Sequence, residues 1–186
     1  MQPVARDLAG LERSTRRVAR ALEVPPERLL AVQPAHSGWS PAQHLFHLSL
    51  ANELSLKNAE SLVAEKGLLI RPRAPLAPEV VAILRRGRLP RGAESPRFVR
   101  PPPVVDLDLV REIALGVRQA LDRLTTETER VAAAPNGVPH QILGILSAGE
   151  WVRFARMHTA HHLAILRRLI RSQDQTHQIP RNRDPA

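Results

Sequence analysis

Apolar positions along the chain recur mainly with the period of a helix. Leu8, Leu11, Val18 and Leu22 are spaced three, seven and four apart, which puts them on one face of a helix from Asp7 to about Leu22. Val24-Pro25-Pro26 ends it, and a short piece over Glu27 to Val32 precedes a loop-forming run from Gln33 to Gly38. Ser40 before Pro41 reads as a helix start: a hydroxyl to cap free amides, then a proline where no amide donor is needed. Leu45, Leu48, Ala51, Leu54, Ala59 and Leu62 carry this second long helix to about Lys66, with Gly67 as its stop.

The rhythm then breaks. Between Gly67 and Val105 stand Pro72, Pro75, Pro78, Pro90, Pro96 and Pro101 to Pro103, with one short helical candidate at Glu79 to Arg86. So long a connection can carry the chain back along a bundle, so that the helices it joins run parallel. A third long helix is expected from Asp106 to about Ala133, with Leu109, Ile113, Val117, Ala120, Leu121 and Leu124 on one side and Pro135-Asn136-Gly137 as its end. Val138 to Gly144 is apolar and too short to assign. Ser147 and Glu150 stand in the order of a capping box and open a fourth long helix to about Ser172. No convincing alternating strand competes with these patterns. They predict an all-α fold: a four-helix bundle with a long crossover between the second and third helices. One domain over 1–172 is expected, with 67–105 as the crossover and 173–186 as a polar tail.

Composition narrows the function. At 43% hydrophobic and 24% charged residues the chain is neither disordered nor membrane-embedded in type. No apolar run reaches the ~18 residues that cross a bilayer, and Met1 to Leu11 lacks the order of a secretory signal, so a cytoplasmic location and no membrane partner are expected. The absence of cysteine excludes disulfides, a thiolate nucleophile and Cys-ligated zinc, leaving His, Asp and Glu as candidate ligands. A net charge of +9, from 27 basic against 18 acidic residues, could attract nucleic acid or an anionic small molecule. Nearly all the cations are arginine in a chain also rich in Ala, Pro and Leu, which fits a compositional bias. With 3% aromatics, no tyrosine and no reading motif, nucleic acid is a disfavoured partner.

The candidate chemistry lies in histidines. In Met157-His158-Thr159-Ala160-His161-His162-Leu163, His158 and His162 are four apart and share a helix face. Trp151, Ala155, Ile165, Leu166 and Leu169 continue that stripe, whereas His161 is rotated about 100° from His162. Two neutral imidazoles in an apolar core need partners. Hydrogen bonds to each other, to carbonyls or to a carboxylate would serve, and a shared metal ion would satisfy both at once. A third ligand could come from His44-Leu45-Phe46-His47; His47 lies with Leu48, Ala51 and Leu54, so spacing prefers it without excluding His44 or both.

The stretch from Trp39 to Leu48, with its Trp-Ser pair followed by His-Leu, resembles the signature of the DinB/YfiT-like superfamily. Gly144 to Trp151, followed by His158 and then His161-His162, is similar to the second part of that signature. The resemblance implies ligands at His47, His158 and His162 for one divalent ion (zinc, nickel, iron or manganese), in a bundle with parallel second and third helices. Its characterised members include transferases that use low-molecular-weight thiols. It therefore implies a metal-dependent thiol transferase or hydrolase acting on a small-molecule substrate, with a low-molecular-weight thiol as candidate cofactor. Three imidazoles without a protein anion leave coordination positions open, as such chemistry needs. The family often has Arg-Gly-Gln after the last ligand, where this chain has Leu163, Ala164 and Ile165. A non-catalytic stress-response or assembly role is the alternative, and a homodimer is compatible with the apolar faces of such bundles.

Other residues carry weaker signals. Glu53 and Glu150 lie near the histidines in helix register, as a base or supporting acceptor, or more simply as solvated and capping residues. Arg71, Arg73, Arg85, Arg86, Arg88, Arg91, Arg97 and Arg100 load the crossover with charge that could gather an anionic substrate or simply be solvated. Trp39 and Trp151 are expected as core anchors.

Overall fold

Proline and capping side chains mark where most helices of this chain begin. The computed structural model describes residues 3–89 and 95–177. Among them are seven α-helices: α1 (Pro3–Ala21), α2 (Pro26–Leu30), α3 (Pro41–Ala64), α4 (Pro78–Arg86), α5 (Leu107–Thr126), α6 (Thr128–Ala133) and α7 (Ala148–His177). The protein is predominantly helical. None of these helices is long and apolar enough to cross a membrane.

The helix that matters most for the site, α3, starts at a complete capping box. Gln43 N–H donates to Ser40 Oγ at 3.2 Å and Ser40 N–H to Gln43 Oε1 at 2.9 Å, so two of the amides a helix start leaves unpaired are satisfied. Its end falls at Glu65, in the left-handed region with φ 54°, two residues before the expected stop at Gly67. Ser147 and Glu150 form the second box, with Ser147 N–H donating to Glu150 Oε2 at 2.8 Å and Glu150 N–H to Ser147 Oγ at 3.3 Å.

Four expectations are corrected. First, a small sheet is present, with strand order β1-β2-β3, where β1 is Arg71–Pro72, β2 Asn136–His140 and β3 Gly144–Leu146. Both pairings are antiparallel, Arg71 opposite Gly137 and Val138 opposite Leu146. The unassigned segment Val138 to Gly144 thus forms most of a hairpin. Its turn closes on Gly144 at φ 81°, a conformation that glycine reaches without steric cost. These strands are too short to show a period of two.

Second, the helix expected from Asp106 to Ala133 is interrupted at Glu127. The hydroxyls of Thr125, Thr126 and Thr128 donate to the carbonyls of Leu121, Arg123 and Thr125 at 2.8, 2.7 and 2.7 Å, competing with the backbone ladder where it breaks. Third, Leu109 is 43% exposed while Val110 is fully buried, so the start of α5 is rotated by one residue from the stripe read in the sequence. Fourth, α7 runs past Ser172. Gln173 is buried and donates to Arg28 O at 2.9 Å, and Arg28 pairs with Asp174 at 2.6 Å, which docks the added turn on α2. The rest of the expected tail, from residue 178 onward, lies outside the described residues.

The long helices α3 and α7, α3 and α5, α1 and α7, and α1 and α5 pack against one another. Two apolar clusters fill the interior. One includes Leu8, Leu56, Leu62, Leu121, Trp151 and Met157; the other includes Val18, Leu29, Leu45, Leu48, Val110 and Leu166. On α7 they are separated by the buried polar run of His158, Thr159 and His162. Buried Asp7 ties α1 to α7 through Arg156 Nε at 2.7 Å and Arg153 Nη1 at 3.2 Å, and Arg153 Nε also donates to Leu84 O of α4 at 2.6 Å.

Candidate metal centre

The second turn of α3 and the middle of α7 bring His47, His158 and His162 together, all buried. One ring nitrogen from each lies within 4.8 Å of the others. His47 Nε2 and His158 Nε2 are 3.1 Å apart. Two nitrogens bound to one tetrahedral ion at ~2.0–2.1 Å would stand about 3.3 Å apart, so the pair fits a shared cation with little movement.

The tautomer of His47 is fixed by its surroundings. Its Nδ1 lies 2.8 Å from Val99 O, and a carbonyl only accepts, so the proton sits on Nδ1 and the Nε2 lone pair faces His158. His162 is held through His44. His44 Nδ1 lies 3.2 Å from His162 Nδ1, and His44 Nε2 lies 2.9 Å from Ser37 Oγ. His44, left open by spacing, therefore stands behind His162 rather than in the cluster. His158 Nδ1 is buried without a hydrogen-bond partner among the described residues; its ring is placed by stacking on Phe154, with centroids 5.5 Å apart and planes 15° apart. His161, half-buried against the His162 ring, stays outside the cluster.

Burial keeps these imidazoles neutral. It is the main cause that pushes His158 down to about 3 and His44 down to about 4, with His47 the next cause in each case. His47 and His162 are lowered for the same principal reason. At neutral pH the cluster presents lone pairs rather than cations, which is what a metal ion requires.

A cavity of about 540 Å³ opens over His47, His158 and His162. Trp39, Leu89 and Phe154 form apolar walls. Trp39 is half-buried and packs on His44 and His47 at 5.3 and 5.2 Å, so it shapes the site instead of anchoring the core. Trp151 is the core anchor, buried and donating to Val138 O at 3.3 Å. Of the crossover arginines, Arg100 lines the cavity, its Nε donating to Ser95 O at 2.7 Å; Arg91 lies outside the described residues. Glu53 pairs with Lys57 at 3.1 Å and Glu150 caps α7; neither lines the cavity.

The residue that sequence reasoning missed is His140, at the end of β2 on the cavity wall. Its Nδ1 accepts from Ile142 N–H and Leu143 N–H, both at 3.2 Å, which leaves the proton on Nε2. Burial lowers its pKa to about 4. The one available signal was a histidine inside an apolar segment bounded by Pro139 and Gly144.

Fold and site together define a predominantly helical protein with a buried three-histidine cluster, able to hold a metal ion, beneath an open cavity. The profile of the DinB superfamily matches residues 10–166, and the chain belongs to that superfamily. No curated protein and no solved structure matches it.

Proposed function

We propose that the protein is a metal-dependent enzyme in which His47, His158 and His162 hold one divalent ion, zinc, nickel, iron or manganese. Its reaction in this reading is thiol transfer or hydrolysis on a small molecule bound in the cavity above. The observation that carries the reading is the Nδ1 proton of His47 locked onto Val99 O, which turns the Nε2 lone pair to within 3.1 Å of His158 Nε2. When bound, the ion supplies Lewis acidity that makes a thiol or a water a better nucleophile at neutral pH. His44 and Ser37 hold His162 in position, and Trp39 and Phe154 wall the cavity in which the small molecule binds.

The same proposal includes the architecture that positions the site: a four-helix bundle of α1, α3, α5 and α7 with a crossover that leaves α3 and α5 parallel. Support comes from the order of contacts along the two helices. Gln43 donates to Pro102 O at 3.0 Å just ahead of α5, while Glu60 accepts from Arg123 at 2.8 Å near the ends of both.

Elemental analysis of the purified protein beside His47→Ala tests the metal. The expected result is about one ion per chain in the parent and near none in a variant whose circular dichroism remains helical. A parent without stoichiometric metal, or a variant that keeps it, overturns the assignment. Disappearance of a free thiol in the presence of an electrophile, dependent on the added ion, would separate transfer from hydrolysis.

A further inference from the structure

The turn between β2 and β3 fixes the tautomer of a histidine outside the metal cluster. Ile142 N–H and Leu143 N–H both donate to His140 Nδ1 at 3.2 Å, so Nδ1 is an acceptor and the proton lies on Nε2. Burial pushes His140 down to about 4, so at neutral pH the ring is an uncharged donor.

The Nε2 edge is the side of this ring left open. The turn covers the Nδ1 edge, and the ring packs on Phe154 and Trp151 with centroids 4.6 and 5.3 Å apart. Nε2 has no hydrogen-bond partner among the described residues, and it is not sealed from solvent as His158 Nδ1 is. His140 is half-buried and lines the cavity above the histidine cluster. An unpaired N–H with surface of its own on a cavity wall is a group that a ligand can reach.

This donor stands beside the cluster. Phe154 lies between His140 and His158, its ring 4.6 Å from the first and 5.5 Å from the second, and all three line the same cavity. A group held by His140 is thus one aromatic ring away from a proposed metal ligand. Ile83, Leu89, Leu143 and Phe154 give the cavity apolar walls. A single uncharged donor among such walls suits an oxygen that only accepts and carries no full charge. A carboxylate or phosphate would be left short of partners, and a hydroxyl would bring a proton that needs an acceptor. A carbonyl oxygen meets both conditions, and it is the atom on which charge gathers when a carbonyl carbon is attacked.

We propose that the substrate is a small ester with an apolar body and that His140 Nε2–H donates to its carbonyl oxygen. This rests on the cavity above the cluster being the substrate site of the enzyme inferred above, and it unites the two reactions named there as acyl transfer to a thiol or to water. The new S–C or O–C bond forms as the carbonyl π pair moves onto oxygen. When that pair returns, the C–O bond to the alcohol breaks, and the proton given up by the thiol or water ends on the departing alkoxide. His140 keeps its proton throughout, and its hydrogen bond strengthens as charge builds on the oxygen.

Two non-reacting probes of matched shape isolate the contact: 4-phenylbutan-2-one, and 2-methyl-4-phenylbut-1-ene, in which a methylene replaces the carbonyl oxygen. Both are titrated into the metal-free full chain by calorimetry, with the nitrogen-15 resonance of His140 Nε2 read through the ring protons. The ketone is expected to bind about five-fold more tightly than the alkene, the worth of one hydrogen bond, and to move the Nε2 resonance where the alkene does not. His140→Phe should bring the ketone down to the alkene's affinity, and His140→Gln, which keeps an N–H donor, should retain part of the preference. Equal affinities in the parent, an unmoved Nε2 resonance, or a preference that survives His140→Phe overturns the proposal. If His140→Phe binds neither probe, the Nε2 resonance of the parent decides alone. In metal-loaded protein, methanol release from methyl 3-phenylpropanoate should fall about 100-fold in kcat in His140→Phe, as for loss of one donor to a developing oxyanion. A loaded parent that releases no methanol overturns the ester assignment. A parent that takes up no ion overturns the metal-dependent reading instead, while the ketone preference of the metal-free chain still tests His140.

Discussion

The direction of an imidazole decides its role in this protein. His158 and His161 differ by three positions on one helix, yet only His158 faces His47. His158→Ala is expected to bring bound metal from about one per chain to near none in equilibrium dialysis with zinc, nickel and manganese, while His161→Ala keeps it. The reverse outcome would remove the proposed ligand set. His44→Ala should lie between, lowering affinity about 10–100-fold without abolishing binding, because it removes the support of His162 and no ligand. His140 offers a test in pH. Its folded pKa of about 4 lies below the ordinary 6.5, so as pH falls the unfolded chain takes the proton first. Its contribution to stability is whole above about 6.5 and is lost as pH falls towards 4. In metal-free protein, His140→Phe should therefore lose on the order of 1 kcal/mol less than the parent between pH 7 and pH 5 in urea unfolding. Equal acid losses in both would show that His140 stays exchangeable with solvent.

At the scale of elements, short-range chemistry sets where helices begin and break. Ser40 closes the capping box of α3 one turn before His44, so Ser40→Ala is expected to cost about 1 kcal/mol in chemical denaturation while metal stoichiometry holds. A loss of metal equal to that of His47→Ala would mean that the cap, rather than the packing of α3, places the ligand. The threonines near Glu127 act in the opposite sense, competing for backbone carbonyls where α5 gives way to α6. The β2–β3 hairpin depends on a single left-handed residue, Gly144, and through that turn it delivers His140 to the cavity wall.

For the whole molecule, the buried carboxylate of Asp7 is the polar link between α1, α7 and α4. Removing it in Asp7→Ala leaves Arg153 and Arg156 without their countercharge. Both guanidinium groups keep partial access to water, 20% and 28% of their side-chain surface, which reduces the penalty below that of a fully buried pair. A loss of about 2–3 kcal/mol is expected, read from urea midpoints at unchanged m-value. A loss below about 0.5 kcal/mol would show that solvent replaces Asp7 at no cost.

Much of this was legible along the chain because its causes are local. The i, i+4 spacing of His158 and His162, the capping pair Ser147 and Glu150, and the stripe Leu8, Leu11, Val18 and Leu22 all follow from a 3.6-residue period within one segment. Membership of the DinB superfamily was carried by two such segments. What spacing could not decide was which of His44 and His47 joins the cluster, because the groups that orient them come from far away: Val99 O for His47 and His162 Nδ1 for His44. The exposure of Leu109 and the arrival of His140 at the cavity are of the same kind. Helical period tells which residues share a face, whereas the identity of what that face meets is set by packing between segments many residues apart.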